Sequence, residues 1–361
     1  MVHHLYVHIP FCPKVCPYCS FYKEASDRNK TKAFLEAMLC EAAAAAPGLR
    51  PETVFFGGGT PTALSTPQLD FLISGLRERI DFSGVREFTI EMNPATVSLE
   101  KASGLLAHGV NRVSMGVQSW DDGLLKTLGR VHNASQAARS FQILREAGVP
   151  NINLDLIFGI PGQSVGQWRE TLQKTIGFGP DHISAYCLTY EEDTEYFERF
   201  SRGEYAPEDG RDADFFELAM DELSAAGYAQ YEISNHARPG RECLHNLAYW
   251  QGNDYCGFGP SAFTTRAGRR WRNIADTAAY IRRIEAREPL EDDFEMVPGE
   301  VREAERTAFA LRTSGGISSS GRDPEKIADL HAHGLIRHED DRLVLTRRGR
   351  LLADEVASEL L

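Results

Sequence analysis

Cys12, Cys16 and Cys19 stand in a Cys-x3-Cys-x2-Cys spacing, three of the chain's seven cysteines in one short segment. An odd number of cysteines spread over a long chain does not make a disulfide framework, so clustered thiols read as metal ligands. Two centres suit them. A structural zinc needs a fourth ligand from elsewhere, such as Cys40, and zinc sites ordinarily pair two Cys-x2-Cys half-sites where this chain has one. A [4Fe–4S] cluster has four irons, so three thiolates leave one iron open to a substrate. Phe21 stands two residues after the third cysteine, where a fourth might follow.

Two further groups carry chemistry. Gly57, Gly58, Gly59, Thr60 and Pro61 follow an apolar run. Such a run is a tight turn, or a place where missing Cβ atoms let a ligand lie against the backbone. Between His245 and Trp250 an imidazole lies close to two large aromatic rings. A lone histidine is most often packed and structural, yet neutral imidazole is also a common metal ligand. Tyr249 and Trp250 offer flat apolar faces to a ligand, and Asn246 an amide able to orient one. Cys243, Cys256 and His236 are rival ligands beside that stretch.

These residues need a scaffold. Apolar runs at 5–9, 53–56, 87–90, 112–117, 151–158 and 182–188 predict strands, rich in Val, Ile, Phe and Tyr. Helical patterns at 30–46, 67–80, 135–147 and 167–176 lie between them. The alternation predicts parallel strands with right-handed crossovers, an α/β sheet or barrel whose chemistry gathers at the strands' C-terminal edge. Cys12, Gly57, Glu91 and Gln118 sit at or just after successive strand ends, and Asp155 lies in the fifth run. Beyond Tyr190 the alternation fades. A helix is expected near 213–225, then a Gly-, Asn- and aromatic-rich stretch over 236–259. A helix at 324–331, short strands at 335–337 and 343–345, and a terminal helix at 347–360 resemble a winged-helix unit. The expected organisation is a barrel core over 1–200, a connecting region over 201–290, and a C-terminal unit over 291–361.

The chain has 361 residues, 42% of them hydrophobic, enough for one large core with a smaller unit attached. Lys and Arg number 39 against 52 Asp and Glu, a net charge of −13. That balance argues against a nucleic-acid binder. No secretory signal and no run approaching ~18 apolar residues is evident, so a soluble cytoplasmic protein is expected.

Together, the cysteine triplet and the glycine run resemble the radical S-adenosylmethionine (SAM) superfamily. The segments LYVHIPFC, VFFGGGTPT, IEMNP, MGVQSW, LGRVH and NLDLIFGIPGQ, in this order, resemble its oxygen-independent coproporphyrinogen III oxidase family over nearly the whole chain. The resemblance implies a partial (β/α)6 barrel with a C-terminal α+β cover. It also implies a [4Fe–4S] cluster on Cys12, Cys16 and Cys19, whose open iron is chelated by S-adenosyl-L-methionine and which, when reduced, cleaves it to a 5′-deoxyadenosyl radical. Tyr6, Gly57, Gly58, Gly59, Thr60, Glu91, Gln118, Arg130 and Asp155 are the implied SAM residues. The oxidase has a fourth cysteine where Phe21 stands and a longer N-terminal segment than is seen before residue 5. Phe21 and the HNxxYW signature, His245, Asn246, Tyr249 and Trp250, resemble instead the family's heme-chaperone branch, HemW. Heme would then be a ligand, and hemoproteins, including ones at the membrane, its acceptors. The alternatives are the oxidase itself, in porphyrin biosynthesis, or another radical SAM enzyme.

Overall fold

The computed structural model describes residues 1–25, 28–205 and 209–361. Six strands run parallel and pair in chain order: β1 (Val2–Ile9), β2 (Leu49–Gly58), β3 (Glu87–Met92), β4 (Arg112–Gln118), β5 (Ile152–Phe158) and β6 (His182–Cys187). The crossovers carry helices, among them α1 (Arg28–Ala45), α2 (Thr66–Arg77) and α3 (Leu99–Ala107). Helices Ala134–Glu146 and Val165–Phe178 carry the later ones. Three later strands widen the sheet: β7 (Ala229–Gln230), β8 (Asn235–Ala237) and β9 (Cys256–Phe258). The strand order is β9-β1-β2-β3-β4-β5-β6-β8-β7, with β9 parallel to β1 and β8 antiparallel to β6.

Side chains alternate along each strand, because successive Cβ atoms point to opposite faces. On one face Leu5, Val7, Ile9, Val54, Phe56, Phe88, Ile90, Val113, Met115 and Leu154 are buried in the main hydrophobic core with the helices. The other face is polar or aromatic: His4, Tyr6, His8, Thr53, Phe55, Glu87, Glu91, Ser114, Asn153 and Asp155. A parallel sheet covered by helices on one side, with a polar inner face, is the barrel-type arrangement that the alternation predicts.

The final segment has its own core of Leu311, Ile317, Leu330, Ile336, Leu343, Leu345 and Val356. Helix Gly299–Leu311, strand Ile317–Ser318 and helix Pro324–Ala332 lead into the hairpin Ile336–Glu339 and Arg342–Leu345. Asp340 turns that hairpin at φ 52°. The expected helix over 347–360 is two helices, Arg347–Leu351 and Ala353–Leu360, because Leu352 leaves helical geometry at φ −122°, ψ 35°. Arg347 fixes the unit to helix Asp209–Ala225 through Asp221 at 2.9 Å.

Buried titratable groups set a pH optimum. Burial lowers His4 and His182, and pushes His8 and His132 to about 4 and His236 and His245 to about 3. A depressed histidine contributes stability that is complete above 6.5 and is lost as pH falls toward its folded value. Burial also raises Glu232, and raises Glu41 to about 7 and Glu91 to about 8. A raised carboxyl loses its contribution as pH climbs from 4.5 through the folded value. Below 6.5 the histidines outnumber the carboxyls; above it the carboxyls, joined toward pH 9 by the raised thiols of Cys12, Cys19 and Cys187, lower stability. The thermal midpoint of the cluster-free chain should therefore peak near pH 6.5, and a midpoint still rising at pH 8 would contradict this balance.

Candidate functional site

A cavity of about 530 Å³ opens at the C-terminal ends of the parallel strands. Its floor is the cysteine loop. Phe11 and Cys12 pair with Glu24 and Ala25 as two short strands, closing the loop on itself. Cys12 is buried, Cys16 and Cys19 are half-buried, and all three line the cavity. Burial raises the Cys12 and Cys19 thiols, so a bound metal must displace their protons. Among the described residues no three His, Cys, Asp or Glu side chains are gathered to hold a single metal ion. A [4Fe–4S] cluster does not need that convergence, since each thiolate binds a different iron.

The glycine run is bonded to the loop by its backbone. Gly59 N–H donates to Ile9 O at 2.8 Å and Thr60 N–H to Phe11 O at 2.8 Å. Its missing Cβ atoms face protein. A Cβ on Gly58, at φ +103°, would stand 2.6 Å from the His8 ring, and one on Gly59 would stand 2.8 Å from the Pro10 carbonyl. A Cβ on Gly57 would meet Glu91 and Tyr6 at 3.1 Å. The glycines thus bring β2 hard against the end of β1, and Gly58, Gly59 and Thr60 present backbone to the cavity. Thr60 Oγ1 lies 3.6 Å from Cys12 Sγ.

Across the cavity stand Glu91, Asp155, Gln118 and Arg130. Glu91 is pushed up to about 8 by burial and by the charge of Asp155, although it accepts the Gly58 N–H. Asp155 accepts from Ser114 Oγ at 3.0 Å and Asn153 Nδ2 at 2.8 Å. Arg130 donates to Gly116 O at 2.9 Å and lies 3.6 Å from Cys16 Sγ, a cation against a thiol of the cavity. Gln118 sits at φ 68°, and among the described residues its buried Oε1 has no hydrogen-bond partner, nor does Arg130 Nε. Buried polar atoms without partners are rare. Here they face a space with three thiols, backbone amides and carboxylates, a donor set that fits a cluster and the amino-acid and ribose groups of SAM.

A second cavity, about 740 Å³, adjoins the first, and Ser20, Phe21 and Tyr186 line both. Phe21, 67% exposed, therefore stands in the shared wall. Tyr6 lines this larger cavity and not the cysteine one, with its hydroxyl 3.1 Å from His8 Nδ1 and its ring stacked on Phe55. His245, Asn246, Tyr249 and Trp250 all line it. They occupy one short helix, Leu244–Trp250, whose ring of Tyr249 stacks on Phe309 of the C-terminal unit. His245 Nδ1 lies 2.8 Å from Thr53 Oγ1, and among the described residues Nε2 has no partner. Cys243, Cys256 and His236 do not line this cavity, and Cys243 Sγ donates to Glu87 at 3.3 Å.

The family model of the Radical SAM superfamily matches residues 6–175. The heme chaperone HemW of Bacillus subtilis is 36% identical, over 97% of this chain and 97% of its own. That of Mycobacterium tuberculosis H37Rv is 36% identical over 99% and 94%. The chain belongs to the HemW family. Its fold is also that of coproporphyrinogen III oxidase (HemN) from Escherichia coli, with a TM-score of 0.86 at 24% identity over 99% of this chain and 90% of that one. Membership of the radical SAM superfamily implies an iron–sulfur cluster and SAM. No helix among the described residues is long and apolar enough to cross a membrane.

Several residues of this HemW-family site escape sequence reading. Thr53 Oγ1 lies between His4 Nδ1, at 3.0 Å, and His245 Nδ1. Glu87, at the start of β3, accepts the backbone N–H groups of Leu244 and His245 at 2.8 and 3.0 Å. Both contacts join positions more than 150 residues apart. The only local signal was the inner-face alternation of β2 and β3.

Proposed function

We propose that the chain is a heme chaperone. Heme occupies the larger cavity against His245, Asn246, Tyr249 and Trp250. Cys12, Cys16 and Cys19 hold a [4Fe–4S] cluster in the smaller one. Gly58, Gly59, Thr60, Glu91, Gln118, Arg130 and Asp155 surround SAM there, with Gly57 packed behind them against Glu91 and Tyr6, and Tyr6 on the side of the larger cavity; the cluster with SAM supplies radical chemistry when both are bound. Heme then passes to acceptor hemoproteins from a protein of the cytoplasm. The units over 1–200, 201–290 and 291–361 divide this work into cofactor core, heme-bearing segment and cover. The observation that carries the reading is the large aromatic-walled cavity, with an imidazole in its wall, sharing Phe21 with the cysteine cavity.

His245 suits an axial ligand. Burial pushes it down to about 3, so the ring is neutral at every physiological pH. Thr53 engages Nδ1, which orients the ring and leaves Nε2 without a partner among the described residues, as outer partners of metal-bound histidines do. Arg130 has a place beside the cluster: its guanidinium lies 3.6 Å from Cys16 Sγ, a cation set against an anionic centre.

Heme titration followed at the Soret band tests the reading. His245→Ala is expected to move the band and weaken binding while iron content stays at the parent's level. Thr53→Val should weaken binding by roughly 10–100-fold with the ligand retained. Trp250→Ala should weaken it with a smaller spectral change, since stacking contributes only ~0.5–1.5 kcal/mol beyond burial. Spectra of His245→Ala that overlay the parent's remove His245 as ligand. Formation of protoporphyrinogen from coproporphyrinogen III, with reductant and SAM supplied, would establish the oxidase instead.

A further inference from the structure

The larger cavity holds one residue of fixed positive charge, Arg272, on strand Arg269–Asn273. Its neighbours on that strand are neutralised. Arg269 pairs with Glu291 at 2.6 Å, and Arg270 with Glu305 at 2.6 Å and Glu295 at 3.1 Å. Arg272 is not: among the described residues no carboxylate lies within 4 Å of its guanidinium. The strand register sets Asp293 opposite Arg272, yet the side chain turns away from it. Instead Nε and Nη2 donate to Ser261 Oγ at 3.2 and 3.0 Å, and the guanidinium carbon lies 5.6 Å from the Phe263 ring centre.

That posture is built in. Ser261 is held at φ 64°, a left-handed conformation costly for a residue with a Cβ, by N–H bonds to Asn273 O and Ile274 O. The hydroxyl grips one edge of the guanidinium, and among the described residues Nη1 has no partner. A planar fork fixed this way, beside aromatic walls and with no described carboxylate within 4 Å, is a receptor for a carboxylate on a flat apolar ligand.

Its place along the cavity matters. His4 and His8 both point inward from β1 and line the cavity. The His4 ring centre is 6.3 Å from that of His245, whereas the Arg272 charge is felt at His8, whose pKa burial and then Arg272 lower. Four residues of strand separate these stations by ~13 Å. His8 Nε2 in turn lies 2.9 Å from Tyr22 O, in the cysteine loop. An iron ligand near one station and a carboxylate receptor near the other match a tetrapyrrole, with iron at its centre and propionates along one edge.

Resting on the heme-binding reading, we propose that Arg272 clamps a propionate of the bound heme and turns the propionate edge toward the cysteine loop. The test compares heme with its dimethyl ester, which keeps ring and iron but cannot form the ion pair, on the full cluster-reconstituted chain. The parent should bind heme roughly 10- to 100-fold tighter than the ester. Arg272→Gln should bind both equally, at the parent's ester level, with the Soret maximum and iron content unchanged. Equal binding of heme and ester by the parent overturns the clamp while leaving heme binding intact. An Arg272→Gln chain that weakens heme and ester alike also overturns it, since esterification would then not report on Arg272. If the parent binds neither ligand, the heme reading itself fails and the clamp with it.

Discussion

Reconstituted anaerobically with iron and sulfide, the parent chain is expected to bind about four irons, and Cys12→Ala, Cys16→Ala and Cys19→Ala close to none. In the proposed cluster each thiolate would hold a different iron, so no one of them would be spare. The other thiols do not compensate. Cys40 is exposed on α1, a helix on the outer side of the sheet. Cys187 is the sharper control, because it lines the same cavity from the end of β6. Its thiol is pushed up to about 12 by burial and then by Asp212, and it donates weakly to Leu188 O at 3.8 Å. Thiolate is the ligating form, so Cys187 is a poor recruit. Cys187→Ala and Cys40→Ala should keep the parent's iron. One zinc per chain, with no iron taken up, would end the cluster reading.

The sequence carried most of the inner architecture, for a physical reason. Strand alternation is a local signal, so the core face of Val54, Phe56, Phe88 and Ile90 was legible beside the polar face of Thr53, Glu87 and Glu91. The cysteine loop and glycine run were legible because each is contiguous. What the glycines do was only half legible. Their Cβ directions meet His8 and Pro10, partners brought by the pairing of β1 with β2. Tyr6 shows the same limit: it lies in sequence just before the cysteines, yet it lines the neighbouring cavity. Thr53, Glu87 and Arg272 look like ordinary strand residues until the fold sets them beside His245, its helix and the aromatic wall.

Glu87 carries the other large expected effect. Helix Leu244–Trp250 has 7 residues, too few to be stable alone, and Cys243 at its N-cap makes no side-chain capping bond. The cap comes from β3. The buried Glu87 carboxylate accepts Leu244 N–H, His245 N–H and Cys243 S–H, placing an anion at the positive end of the helix. It also faces Arg112, fully buried on β4, where burial works against the charge and surrounding anions, Glu87 among them, outweigh it. Glu87→Ala would orphan two backbone donors and leave Arg112 with less counter-charge. The expected loss is about 3–5 kcal/mol in denaturant unfolding, a large share of the ~5–15 kcal/mol typical of a folded domain. Glu87→Gln keeps the shape but turns an amide donor toward donors, so it should fall between the two. The helix carrying His245 would loosen, so heme binding should fall in the same order while iron content, set by a loop on another strand, holds. If Glu87→Ala unfolds within about 1 kcal/mol of the parent and binds heme as well, the aromatic helix is held by its packing against Phe55 and Phe309, and the buried carboxylate is not its anchor.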